Sequence, residues 1–188
     1  MKRIVSVLAL TVILAACGGT SSTATVCKEQ YWDGTIGTCL PAGWSIVPRE
    51  KLAERGLPEE VIAAFQRGET ISGQTPVLLV TKEALTQDVK PKDYSDASIR
   101  SVSALPSYKL IDSRDEDIDG DKVQIHIYTA QPVSSEPARR FYQLSTVKNK
   151  VGYTFTALAP VSVPSALDTE ILTMLKAATL KGPSSSSK

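Results

Sequence analysis

The acidic run 115–121 holds the residues whose types and spacing come nearest to a metal site. Its aspartates alternate with other residues ahead of a glycine, at Asp115, Asp117 and Asp119. Hard oxygen ligands at alternate positions around a glycine turn are what Ca²⁺ requires, so a weak calcium site is one interpretation. The position that should supply a bidentate glutamate holds His126 instead, and strands rather than helices are expected on both sides. A solvated hairpin turn at Asp119-Gly120 is the interpretation that we favour.

His126 is the only histidine of the chain. It lies between Ile125 and Ile127 in an alternating segment, which predicts a packed strand residue rather than a general base. The sequence contains no nucleophile elbow, phosphate-binding loop, dinucleotide fingerprint or zinc-protease helix, and it predicts no cofactor. An envelope hydrolase or metal-dependent enzyme would have to use His126 and the acidic run. A concave pocket that joins His126 to a carboxylate and a Ser or Thr would favour that alternative.

Cys17 follows a segment with the organisation of an export signal. Lys2 and Arg3 precede the apolar stretch 4–16, which ends in Leu14-Ala15-Ala16-Cys17. That tetrapeptide resembles the bacterial lipobox, which is cleaved before a cysteine that then carries lipid. An ordinary secretory signal or a short transmembrane anchor is the alternative, but the stretch is too short to span a bilayer.

The three cysteines divide between a lipid anchor and a disulfide. We expect residues 1–16 to be removed as a lipoprotein signal peptide, which leaves 17–26 as the acylated cysteine and a flexible tether. Cys27 and Cys39 then remain as a pair in an oxidising compartment, which predicts a disulfide loop over 27–39. The intervening Asp-Gly turn signal can bring the two sulfurs together. A zinc site is a poor alternative because it needs four Cys or His ligands.

The charge balance argues against a nucleic-acid partner. The chain has 21 Lys and Arg against 20 Asp and Glu, and loss of Lys2 and Arg3 leaves the acids one ahead. Such a chain offers neither a basic footprint for nucleic acid nor a polybasic membrane patch, so membrane attachment depends on the lipid at Cys17. The hydrophobic content of 42% predicts one domain with its own core, over 40–181, before a polar tail at 182–188.

Alternation of apolar and polar side chains identifies an antiparallel meander between Tyr108 and Pro160. Its strands are predicted to begin at Tyr108 and to occupy 122–130, 139–148 and 151–159. The other predicted elements are a strand at 44–47, helices at 49–55 and 58–67, a strand at 76–81, and helices at 94–105 and 165–178. This order predicts an α+β fold in which helices pack on a mostly antiparallel sheet.

Four side chains of the meander form a candidate partner-binding group, namely Tyr128, Arg139, Arg140 and Tyr142. Aromatic and arginine side chains are the usual anchors of protein interfaces, and arginine pairs with phosphate or acidic groups. The alternative for the arginines is cross-strand ion pairing within the sheet. The alternative for the tyrosines is burial beneath a covering helix.

Several segments of the chain are similar to PsbP-like and DcrB-like proteins. They are Leu40-Pro41-Ala42-Gly43-Trp44 at the start of a strand, Arg140-Phe141-Tyr142-Gln143, and Gly152-Tyr153-Thr154-Phe155-Thr156-Ala157 before a terminal helix. The resemblance covers roughly residues 40–180 and implies an α/β/α sandwich around an antiparallel sheet, a fold shared with a eukaryotic Ran-binding import factor. It also implies a binding or scaffolding role, because members of these groups are generally not enzymes.

The sequence therefore predicts a lipid-anchored, non-enzymatic module on the extracytoplasmic side of a membrane. Its expected contacts are the bilayer, through the lipid anchor, and a protein partner in the cell envelope. One fold hosts many functions, so neither the fold nor the resemblance names that partner.

Overall fold

The computed structural model describes residues 27–182 of the chain. The predicted signal peptide, the lipidation site Cys17 and the tether lie outside the described residues, as does the tail from residue 183. None of the helices in the described part has the length and apolar character needed to cross a bilayer.

Within this part the elements follow one another from a short hairpin to a terminal helix. Their order is β1 (Glu29–Trp32), β2 (Gly37–Leu40), β3 (Trp44–Ile46), α1 (Arg49–Glu54), β4 (Val61–Arg67), β5 (Val77–Ala84), α2 (Pro91–Val102), β6 (Lys109–Ile118), β7 (Asp121–Ala130), β8 (Arg139–Lys148), β9 (Val151–Pro160) and α3 (Ser165–Lys176).

The main sheet has seven strands in the order β3-β4-β5-β9-β8-β7-β6, and each neighbouring pair is antiparallel. The predicted meander is confirmed as β6 to β9. Its two tight turns, Asp119-Gly120 and Asn149-Lys150, have positive φ at both residues. This is the backbone that a two-residue hairpin connection needs to match the twist of its strands. The predicted α+β fold is therefore confirmed.

The predicted helix over 58–67 is wrong, because this segment contains strand β4. β4 is paired on both sides, with β3 and with β5. Ala63 and Ala64 favour a helix in isolation, but pairing within a sheet and burial outweigh that local preference. Val61, Ala64 and Leu52 of α1 form a small apolar cluster, whereas Phe65 points to the opposite face of the sheet and lies in the main core.

Two helix starts differ from the sequence prediction. α2 begins at Pro91 rather than Tyr94, because proline at the first helical position needs no hydrogen-bond partner for its nitrogen. α3 begins at Ser165 as predicted, but no side chain caps it. The carboxylate of Asp168, which the sequence suggested as part of a capping box, instead accepts a hydrogen bond of 2.7 Å from the Tyr142 hydroxyl.

Helices cover the sheet on both faces, as the sandwich architecture requires. α3 and the β1–β2 hairpin cover the face that carries the main apolar core, which includes Phe65, Leu78, Ile125, Leu144 and Phe155. α1 and α2 cover the other face, where α2 packs on β7 and β8 and α1 packs on β4.

The β1–β2 hairpin belongs to the same core, although 27–39 was predicted to be a disulfide loop outside the domain. The predicted Cys27–Cys39 disulfide is present, with the two Cα atoms 5.4 Å apart. Ile36 is completely buried, and the Thr38 hydroxyl donates a hydrogen bond of 2.6 Å to the Met174 carbonyl of α3. The hairpin therefore acts with α3 as part of the cover over one face of the sheet.

Candidate binding groove between two helices

The two faces of the sheet differ in chemistry. The face beneath α3 is apolar, whereas the face beneath α2 carries a stripe of polar side chains across four neighbouring strands. We call these residues the polar stripe: Thr81, Gln124, His126, Gln143, Ser145, Thr154 and Thr156. Strand residues under a covering helix are ordinarily apolar, because burial of a polar group costs free energy unless it is hydrogen-bonded. The stripe is therefore the feature of this fold that most needs an explanation.

The centre of the polar stripe is hydrogen-bonded to α2. The Gln143 amide donates to the Ser98 hydroxyl at 2.8 Å, and the Ser145 hydroxyl donates to the same oxygen at 2.9 Å. Ser145 is in turn 3.0 Å from the Thr154 hydroxyl. Gln143 and Ser145 are both buried. Because buried networks of this kind hold their members in fixed positions, the stripe forms a rigid floor.

A groove lies beside this floor, between α1 and α2. One part, of about 560 Å³, is lined by Ala97 and Ser98 of α2 and by the floor residue Gln143. The other part, of about 870 Å³, extends along α1 and past the end of β5. Both parts are lined by the same connecting residues, Pro58, Glu60, Val61, Lys82 and Glu83, so they form one continuous groove. Each part has the volume of a small-molecule site.

Tyr94 of α2 forms one wall of the groove, and Gly152 of β9 makes room for it. The Tyr94 hydroxyl donates a hydrogen bond of 2.7 Å to Glu83, which holds the ring across the sheet. A Cβ atom at position 152 would lie 2.7 Å from Tyr94 Cε2, which is inside any normal contact distance. Burial, and next the bond to Glu83, raises the pKa of Tyr94 to about 12, so this hydroxyl stays protonated and donates.

His126 lies outside the groove. It is buried beneath α2, and its Nε2 atom shares a hydrogen bond of 2.8 Å with the Tyr108 hydroxyl. In the described part of the chain its Nδ1 atom has no partner, and no carboxylate is bonded to the ring. Burial lowers the pKa of His126. The pocket, carboxylate and Ser or Thr that would favour catalysis are therefore not assembled around this histidine.

The acidic run comprises the last residues of β6, the turn at 119–120 and the first residue of β7, and its carboxylates are engaged separately. Asp119 accepts hydrogen bonds from the Thr179 hydroxyl at 2.7 Å and from a backbone amide of the C-terminal segment at 2.6 Å. Asp117 pairs with Lys122 at 3.0 Å, and this pairing lowers its pKa. Asp115 accepts a bond from the Gln124 amide. Among residues 27–182 no group of three potential metal ligands occurs, and Asp119-Gly120 forms the hairpin turn between β6 and β7.

The four residues of the candidate partner-binding group do not form one surface. Tyr128 is 2% exposed beneath α2, and Tyr142 is completely buried beneath α3. Of the two interpretations that the sequence left open for these tyrosines, the structure shows burial, because alternation along β7 and β8 turns each ring into the core. Arg139 and Arg140 are half-buried at the end of the sheet, where Arg139 pairs with Glu136 at 3.3 Å.

Comparison with solved structures identifies the fold. No protein-family model matches the sequence, and no curated protein matches it. The solved structure of CyanoP from Synechocystis sp. PCC 6803, a cyanobacterial PsbP, is similar with a TM-score of 0.54 at 17% identity, over 89% of this chain and 98% of that one. The fold is PsbP-like.

Two further solved structures share this PsbP-like fold. LpqN of Mycobacterium tuberculosis has a TM-score of 0.57 at 12% identity, over 77% of this chain and 82% of LpqN. A point mutant of the protein Mog1 has a TM-score of 0.51 at 10% identity, over 81% of this chain and 95% of Mog1. At these identities the likeness concerns the fold and not the activity.

Sequence reasoning missed the residues that build the groove on this PsbP-like scaffold. Ser98 and Tyr94 lie on α2 and give no local signal of what they contact. The polar stripe did leave a trace, because Gln143 and Ser145 alternate on β8 and Thr154 and Thr156 alternate on β9. Polar residues at alternate positions on both strands of one hairpin indicate a polar face, which could have been recognised before the structure was known.

Proposed function

We propose that this protein is a lipid-anchored, non-enzymatic binding module of the cell envelope, and that the groove between α1 and α2 is its ligand site. The observation that carries the proposal is the polar stripe. It replaces apolar packing on a covered face of the sheet, and it adjoins a groove that is large enough for a ligand.

The side chains of the groove suit binding better than catalysis. Beside the groove the floor presents the hydroxyls of Ser98, Ser145 and Thr154 and the amide of Gln143, which bond to one another. In the described part of the chain none of these three hydroxyls is paired with a base that could activate it. The wall residue Tyr94 has a raised pKa, which keeps it a hydrogen-bond donor rather than a base. Polar groups held in fixed positions favour binding of a polar ligand, because little freedom is lost when the ligand is bound.

An envelope role is also supported by one of the proteins that share the fold. LpqN is described as involved in cell envelope biogenesis. For this chain the supporting feature is the lipobox-like sequence before Cys17. We propose that Cys17 becomes the acylated N-terminus and that the domain is held on the extracytoplasmic side of a membrane. Its ligand would then be an envelope component, most simply a protein segment.

Lipid attachment is tested on the N-terminal peptide of the protein isolated from membranes. Mass spectrometry should show a peptide that begins at Cys17 and carries the mass of acyl chains. Cys17→Ala should leave an uncleaved precursor. An unmodified N-terminus at another residue would contradict the anchor without bearing on the groove.

Ligand binding is tested by photocrosslinking in cells from a photoreactive side chain placed at Ala97. This residue is exposed and lines the groove, so the substitution removes no packing. The matched control position is Lys92 of the same helix, which is exposed and does not line the groove. We expect an adduct from position 97 that is absent from position 92.

A second variant makes this test specific to the groove. With the photoreactive group at Ser101, which also lines the groove, Ala97→Trp should abolish the adduct and Lys92→Trp should not. His126→Gln should leave the adduct in place. Equal adducts from positions 92 and 97 would contradict the groove as the ligand site. Loss of the protein's function in cells on His126→Gln, with the fold intact, would favour the enzyme alternative.

A further inference from the structure

The two ends of the seven-stranded sheet differ in their surface chemistry. One end is formed where β6 begins, β7 ends, β8 begins and β9 ends, and we call it the tether end. At this end the paired residues of neighbouring strands are Lys109 with Thr129, Ala130 with Arg139, and Arg139 with Pro160. β3 also begins at this end, because Trp44 pairs with Arg67 and the neighbouring Gln66 pairs with Val77 of β5.

Exposed apolar side chains are concentrated at the tether end. Five large hydrophobic residues are exposed in the described part of the chain, and four of them lie at this end. The fifth is Ile46, in β3. The four at this end, which are between 42 and 50% exposed, are Leu110, Ile111, Val133 and Val161. They come from the start of β6, the β7–β8 loop and the residue after β9. β6 and β9 are three strand spacings apart, so measured across the strands this group of side chains is about 15 Å wide.

The two segments that follow β7 and β9 at the tether end carry little charge. The segments 131–138 and 161–164 contain a single charged residue, Glu136. The opposite end carries dense charges of both signs in its two hairpin turns, such as Asp121 and Lys122, and Lys148 and Lys150. The apolar patch therefore marks one end of the molecule and is not a general property of its surface.

Arginine and lysine side chains border the patch. Arg139 and Arg140 begin β8, and the buried Nε atom of each has no hydrogen-bond partner in the part of the chain that the structure describes. Arg139 reaches Glu136 through one terminal nitrogen, and Lys109 is exposed at the start of β6. Guanidinium groups match the geometry of phosphate oxygens, so this border suits an anionic phosphate surface.

The chain also enters the domain at the tether end. Glu29 pairs with Leu40, and Leu40 leads through a turn to Trp44, where the Trp44 amide donates to the Pro41 carbonyl. Cys27, which is bonded to Cys39, therefore lies near the start of β3. Ten residues separate Cys17 from Cys27, and a chain of this length can span at most about 36 Å. A lipid at Cys17 would hold residue 27, and with it the start of β3, within about that distance of the bilayer.

We propose that the tether end rests against the membrane: the patch of Leu110, Ile111, Val133 and Val161 enters the headgroup layer, and Lys109, Arg139 and Arg140 bind phosphates of anionic lipids. This inference rests on the lipid anchor of the proposed function. It gives the groove a direction, because Lys82, Glu83 and Val151, which line it, lie at the opposite end of β5 and β9. The groove then opens away from the bilayer.

Orientation is measured on the full-length acylated protein in vesicles that contain no other protein. A fluorophore is attached to a cysteine introduced at Val133, or at Lys122 as the matched control, and quenched by a headgroup-labelled lipid. Both positions are exposed and lie at opposite ends of the sheet. We expect strong quenching from position 133 and weak quenching from position 122, with a larger difference in phosphatidylglycerol than in phosphatidylcholine vesicles.

Charge variants test the role of the cations. Arg139→Gln and Lys109→Gln should each lower the ratio of membrane-facing to free orientations about fivefold in phosphatidylglycerol vesicles, because each removes one cation from the anionic surface. Lys122→Gln should leave this ratio unchanged. With the fluorophore at position 133, Leu110→Asp and Val161→Asp should each reduce quenching in both kinds of vesicle. Melting temperatures of all variants exclude unfolding as the cause of a change.

Equal quenching from positions 133 and 122 in both kinds of vesicle would overturn the inference, and would leave the patch available to a protein partner. Quenching from position 133 that is insensitive to the charge variants would overturn the assignment of the cations. Mass spectrometry on the same sample distinguishes these outcomes from failure of the proposed anchor, which would show as an unacylated N-terminus.

Discussion

Gly152→Ala is the substitution that tests the wall of the groove most directly. The φ angle of Gly152 is not in the left-handed region, so alanine can adopt the same backbone conformation. The added methyl group would collide with the ring of Tyr94, which the hydrogen bond to Glu83 holds in place. Any loss of stability therefore reports the contact with Tyr94 and not backbone strain.

The expected magnitude follows from two opposing effects. A methyl group forced into a packed site costs about 1–3 kcal/mol. Replacement of glycine by alanine in the interior of a strand returns about 0.5–1 kcal/mol. We expect Gly152→Ala to lower the free energy of unfolding by about 1–2 kcal/mol, and to become neutral or slightly stabilising when Tyr94→Ala is also present.

The assay is urea unfolding followed by the fluorescence of Trp32 and Trp44, for the wild type, both single variants and the double variant. The control is Gly68→Ala, where the new methyl group would meet only the Gly43 carbonyl at 3.6 Å, and it should cause no loss of stability. A coupling free energy between Gly152→Ala and Tyr94→Ala below about 0.5 kcal/mol would show that the ring moves aside freely, and would refute the fixed wall.

Three further predictions concern the disulfide, the histidine and calcium. Replacement of Cys27 and Cys39 by serine should lower the free energy of unfolding by about 3 kcal/mol in the chain-entropy model, measured by urea unfolding, and an unchanged midpoint would contradict a bond that is part of the cooperative fold. Burial lowers the pKa of His126, so the unfolded state binds the proton more readily than the folded state. The melting temperature should therefore fall as the pH drops below the ordinary histidine pKa of about 6.5. His126→Gln should remove this contribution to the dependence of the melting temperature on pH. Calcium should bind weakly or not at all, and calorimetry that shows tight binding abolished by Asp117→Ala would contradict the hairpin interpretation.

The meander could be predicted because each of its strands carries its own alternation and its own turn. Asn149-Lys150 and Asp119-Gly120 fix the register of neighbouring strands within a few residues, so no distant information is needed. β4 could not be predicted in the same way. Its identity as a strand depends on partners far along the chain, such as Leu78 opposite Phe65, while its alanines favour a helix locally.

The groove was harder to predict than β4, because the residues that form it meet only through tertiary packing. Ser98 reaches Gln143 and Ser145 across more than forty residues of sequence, and Tyr94 meets Gly152 across more than fifty. A serine in a helix and a glycine in a strand have many other uses, so neither residue type indicates the contact. Tyr128 and Tyr142 illustrate the converse, because residue types that suit an interface serve equally well in a core.

The position of the disulfide has a mechanical consequence for a domain held by its N-terminal segment. A pull transmitted through residue 27 would act on the open end of the β1–β2 hairpin, where Glu29 pairs with Leu40. In this geometry the two strands would separate one pair at a time under a small force. The Cys27–Cys39 bond instead passes the load directly to β2, beside the buried Leu40. The hairpin is thereby relieved of tension, and the pull is borne by the segment that continues into β3 of the main sheet.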